Sequence, residues 1–236
     1  MNVDSISNSN RAQLLTLLQI SNSSFPTGAF SHSYGFETWL KSSEISSPAE
    51  AEERCRDWLR YSIATCDAVA ACHAHRELLY GDLGELVEVN RQLNALKLSR
   101  ETREASFKAA AAWLAACRDA FDLSEIGQLE RVGLPSGKIH HSIAFGVCCA
   151  SLDFSETDTI ETYIWSSFSN LISVIGRLLP IGQSDIQKIV SAARPLIEDC
   201  AKIAQSREVS EMYSQYAGLD VASMRHERLR SRLCMS

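Results

Sequence analysis

Ile160, Ile164, Phe168, Leu171, Ile175 and Leu178 follow one another at intervals of three and four residues. That spacing lines one face of an α-helix with large apolar side chains. Ser155-Glu156-Thr157-Asp158 supplies a start and Pro180-Ile181-Gly182 a stop. A face of this length must be covered, and the remaining chain offers helices to cover it, because strand signals are scarce and alanine is abundant. The 236 residues are 45% apolar, ample for one core.

Further helices follow from the same signals. Asn10 with Gln13 caps a first helix carrying Leu14, Leu15, Leu17 and Leu18. Ser47-Pro48-Ala49-Glu50 starts another, whose periodicity runs to Gly81 and exceeds ordinary helix length, so a break is expected near Ser62 to Asp67. Helices are expected over Asp82 to Lys97, from Ser99 towards Phe121, and over the nearly uncharged Ile139 to Leu152. Asp122 to Lys138 is the longest connection. Ser184-Asp185-Ile186-Gln187 has the form of a capping box, and Pro195 should kink the helix that follows. The expected fold is all-α, a single-domain bundle of roughly 8–10 helices. Residues 1–9 form a flexible N-terminal tail, 10–217 the helical domain and 218–236 a C-terminal tail.

Several function classes fall away. The net charge is −6, with 23 basic residues interspersed among 29 acidic ones, which argues against nucleic acid. The polar N-terminus is no signal peptide, and the longest uncharged run, Thr162 to Gly176, is too short and too rich in serine to span a bilayer. Eight cysteines without a C-x-x-C pair indicate a reducing compartment, hence the cytoplasm. Gly133-Leu134-Pro135-Ser136-Gly137-Lys138-Ile139 lacks both the spacing and the hydroxyl of a phosphate-binding loop. Ser31-His32-Ser33-Tyr34-Gly35 lacks the first glycine and the strand of a nucleophile elbow. Cys72 and His75 share a helix face and are the leading metal candidates, but no completing ligands are evident nearby.

The densest stretch is Phe25 to Glu37. Pro26-Thr27-Gly28 is turn chemistry. Phe30 to Leu40 has helical spacing, with Phe30 and Phe36 turned inward and Tyr34 and Glu37 available at the surface. Arg177, near the end of an apolar helix, either satisfies terminal carbonyls or meets a partner.

Three ordered motifs carry a resemblance to the UreF family of urease accessory proteins. The first is Pro26, Gly28, Phe30, Ser31, Ser33, Gly35 and Glu37. Arg177, Pro180, Gly182, Gln183, Ser184, Asp185 and Gln187 make the second, and Ser223, Arg225, His226, Glu227, Ser231, Arg232, Leu233 and Ser236 the third. A weaker central match is Arg103 with Ser106. Departures are Ala29, Ala110 and Cys234-Met235. The resemblance implies a non-catalytic, homodimeric, helical assembly factor without a cofactor. It would bridge UreD (UreH in some organisms) and the GTPase UreG while nickel is loaded into apo-urease. Partner contacts are then expected from Tyr34, Glu37, Arg177, Gln183, Arg225, His226, Glu227, Arg232 and Leu233. The tail from Ser223 would order against UreD/UreH, and the Tyr34/Glu37 region with the tail would help form the UreG surface. The alternatives are a regulator of UreG acting through Arg177 as an arginine finger, and a direct nickel carrier using Cys72, His73 and His75.

Overall fold

The computed structural model describes residues 3–28, 31–121, 123, 126–129 and 137–234, with the backbone alone for residues 3–10. Among these residues the fold is all-α, without a β-strand. Helices α1 (Val3–Ser21), α2 (Phe36–Lys41) and α3 (Pro48–Trp58) come first. A π-helical segment (Leu59–Asp67) then runs without interruption into α4 (Ala68–Tyr80). They are followed by α5 (Leu86–Leu96), α6 (Arg100–Phe121), α7 (Ile126–Leu129), α8 (His141–Ser151) and α9 (Glu156–Leu178), and then by α10 (Gln183–Ala192), α11 (Arg194–Gln205) and α12 (Ala217–His226).

The centre of the molecule is α8, in which every residue from Ser142 to Ala150 is buried. It packs against α4, α6 and α9. The approach to α4 is as close as backbone allows, since a Cβ on Gly146 would collide with the carbonyl of Ala71. Alanines at 68, 70, 71 and 74, all fully buried, make that contact possible. The long helix α9 lays its apolar stripe against the same core, with Ile160, Ile164, Phe168, Leu171 and Ile175 fully buried. Ser155 caps it by accepting from the Asp158 amide at 3.0 Å, and Ser47 caps α3 from the Glu50 amide at 3.2 Å.

Local readings fail where neighbours intervene. The first helix begins at Val3 rather than after Asn10. The expected break at Ser62 to Asp67 is a nine-residue π-helical segment. Its wider winding leaves the carbonyls of Tyr61 and Thr65 to accept from the Gln215 and Tyr213 amides at 2.9 and 3.0 Å. Helix α10 is capped by Gly182, without a side-chain cap from Ser184. Pro195 lies in the first turn of α11 and starts that helix instead of kinking a longer one. No helix among the described residues is long and apolar enough to cross a membrane.

Candidate partner-binding site

The helix expected from Phe30 to Leu40 does not form, because Tyr34 (φ 52°) and Gly35 (φ 101°) occupy left-handed conformations that block helical propagation. Phe30 lies outside the described residues, as does most of the loop around Gly133. Helix α2 begins only at Phe36, which is fully buried. Gly28 (φ 72°) turns the chain before it, and the Ser31 hydroxyl donates to the Gly28 carbonyl at 3.0 Å. Ser33 is fully buried.

Helix α12 packs against α2 and α6. It passes so near Gly35 that a Cβ there would stand 2.6 Å from the Ser223 amide nitrogen. The Ser223 hydroxyl meets Ser99 Oγ at 2.8 Å and Thr102 Oγ1 at 3.1 Å, at the start of α6. One turn further along α12 is His226, fully buried between two carboxylates. Its Nδ1 lies 2.8 Å from Glu101 Oε2 and its Nε2 lies 3.2 Å from Glu37 Oε2.

Glu37 is the hub. Its carboxylate accepts from the Leu233 amide at 2.8 Å, the Cys234 amide at 2.9 Å and Lys41 Nζ at 2.7 Å. Burial would push its pKa up, but those donors and His226 outweigh burial and hold it at about 2. Lys41 also donates to the Ser231 carbonyl. Arg232 pairs with Glu101 at 2.8 Å, and at the rim Arg100 pairs with Glu227 at 2.8 Å. Charge-assisted bonds of this kind are the stronger class, and here they fold the C-terminal tail onto α2 and α6.

The expectation that Glu37 is available at the surface is therefore corrected: it is fully buried. Tyr34 is half-buried, stacked on Trp58 with ring centroids 5.2 Å apart. It lines a polar cavity of about 90 Å³ with Asp67, Lys97 and Asp220. His226 too is interior, and Glu227 is half-buried. Arg225, Arg232 and Leu233 are exposed, Leu233 by 79%. Arg177 is exposed in the last turn of α9, and Gln183 opens α10, also exposed. Burial pushes the Cys234 thiol up to about 11, with Glu37 adding to the effect and Arg177 opposing it. The end of α9 is thus electrically close to the tail.

Pro180 and Gly182 shape the turn into α10, and α10 packs back onto α9 with Ile186 against Gly176. In the central match, Arg103 donates to the carbonyls of Lys97 and Leu98 at 2.5 and 2.9 Å. Ser106 meets His140 Nδ1 at 3.0 Å. Lys41, Ser99 and Glu101 were missed by sequence reasoning. Lys41 follows Glu37 by one turn, the spacing of a stabilising pair, whereas nothing local marks Ser99 or Glu101 as partners of a tail over a hundred residues away. Cys72 is fully buried with its thiol pushed up by burial, and His75 Nε2 is engaged by the Phe154 carbonyl at 2.9 Å. Among the described residues no group of three His, Cys, Asp or Glu could hold a metal ion.

The UreF family model matches residues 45–194. The chain is 32% identical over 224 residues to a urease accessory protein UreF of Geobacillus kaustophilus, covering 95% of this chain and 98% of the relative. A urease accessory protein UreF of a Picosynechococcus species is 31% identical over 229 residues, covering 95% and 100%. One from Paenarthrobacter aurescens is 30% identical over 226 residues, covering 94% and 97%.

Proposed function

The chain belongs to the UreF family of urease accessory proteins, and from that premise we propose that it is a non-catalytic, cytoplasmic maturation factor. As a homodimer it bridges UreD/UreH and UreG while nickel is delivered to apo-urease. The observation that carries this reading is the convergence of the first and third motifs on one anchor, Glu37 with His226 and the Leu233 and Cys234 amides. The Glu37 carboxylate is saturated by donors, which supports a structural role for it.

Its work is to present a surface. Arg225, Arg232 and Leu233, with Arg177 from the last turn of α9 and Gln183 from the start of α10, supply contacts to UreD/UreH and UreG. Glu37, His226 and Tyr34 act from beneath, by holding the tail and α2 in register. Exposed arginine is a residue type that makes strong contacts when desolvated in an interface, and the exposed Leu233 adds apolar area beside it. Co-purification of tagged chain with UreD/UreH tests the reading. A chain ending after Leu229, or the Leu233→Glu variant, should lose capture, while a folded variant that captures UreD/UreH at full strength overturns the role of the tail.

A further inference from the structure

We propose that the groove between the π-helical segment and α11 is a second docking surface, which takes an acidic segment of a partner protein carrying apolar anchors. It encloses about 540 Å³. Tyr61 on one side is 45% exposed, and Ile203 on the other 37%. Large apolar side chains left in a concave surface mark an interaction site more often than scattered ones do.

Charge selects the occupant. Arg56, Arg60 and Arg207 line the groove against the single carboxylate of Asp199, on a chain whose net charge is −6. Arg56 is paired with Glu52 at 2.8 Å. The other two are held more loosely. Arg60 pairs with Asp57 at the long distance of 3.8 Å. The Arg207 guanidinium lies 4.8 Å from the centre of the Tyr213 ring and makes long bonds, 3.4 Å to the Glu211 carbonyl and 3.5 Å to the Tyr213 hydroxyl. Its Nε is buried and has no hydrogen-bond partner. The weakly bonded Nη end of this guanidinium, rather than the buried Nε, suits a carboxylate of the occupant.

The backbone is specialised at the same place. The Tyr61 and Thr65 carbonyls left by the π-helical winding hold residues 213–215 alongside, and Thr65 Oγ1 adds a bond to the Tyr213 carbonyl at 2.8 Å. This fixes Tyr213 beneath Arg207. Such π-helical segments recur at functional positions. A second copy is a poor occupant, because a two-fold contact would set the same cations against each other. A polyphosphate is poorly matched too, since three arginines make no continuous basic stripe on an acidic chain. The groove shares no residue with the tail anchor, so the inference goes beyond the tail's role, and a bridging protein requires two separate surfaces.

The full chain should be titrated with a fluorescein-labelled amphipathic peptide of about 14 residues, glutamate on one face and leucine with phenylalanine on the other. The same peptide with lysine for glutamate, and an oligothymidylate, serve as competitors. Fluorescence anisotropy should show binding of the acidic peptide that weakens with salt, and about tenfold loss in Arg60→Glu and in Tyr61→Ala. Both side chains are exposed, so circular dichroism should match the parent chain. Arg207→Glu should lose binding as well, read beside its thermal melt. Absence of binding to the parent chain, equal binding by Arg60→Glu, or preference for the lysine peptide or the oligothymidylate overturns the proposal. So does a change of sedimentation coefficient in Arg60→Glu, which would make the groove an interface between copies.

Discussion

Glu37 Oε2 and His226 Nε2 stand 3.2 Å apart across 189 residues of sequence, both fully buried. The pair joins α2 to α12 and, through the remaining Glu37 bonds, to the last residues described. Removing the imidazole opens a void and takes one hydrogen-bond partner from each of two carboxylates, and losing such a buried partner costs about 1–3 kcal/mol. His226→Ala should therefore lower stability by roughly that amount in urea denaturation. Limited proteolysis should cut its tail beyond residue 226 well before the parent chain is cut.

The pH dependence follows from Glu37. Its pKa falls from the ordinary 4.5 to about 2 on folding. A depressed carboxylate binds protons in the unfolded state first, so its contribution is complete above 4.5 and is lost as pH falls towards 2. The size is on the order of 3 kcal/mol. Unfolding free energy measured from pH 6 downward should fall across that window, and Glu37→Gln should flatten the fall.

Two glycines separate conformational from packing cost. A methyl group on Gly28 (φ 72°) would have nothing within 4 Å, so Gly28→Ala should cost only the left-handed penalty, about 1–2 kcal/mol. Gly35 adds a collision with α12 to its φ of 101°. Gly35→Ala should destabilise more, and it alone should expose the tail to protease.

Lys97 and Asp67 form a buried ion pair at 2.7 Å, with side chains 10% and 6% exposed. Burial pushes the Lys97 pKa down, and Asp67 more than offsets it. Lys97→Met should cost about 3–5 kcal/mol by stranding Asp67, while Asp67→Leu with Lys97→Met should recover most of it. A double-mutant cycle in urea would measure the coupling directly.

Leucine and isoleucine spacing, serine caps and proline positions act within one or two turns of chain, so the helices could be located from the sequence: α9 with its stripe, α6 after Ser99, the buried α8. The three motifs were legible too, as residue types in order. What they do was not. Glu37 looks like a surface acid beside Lys41 until α12 and residues 233–234 arrive to bury it. The π-helical winding at Leu59–Asp67 likewise has its stabilising partners, the amides of Tyr213 and Gln215, about 150 residues downstream. Helix formation is local because its hydrogen bonds and its apolar period are local. Burial of a charge depends on which distant donors reach it, and that was decided only when the chain closed on itself.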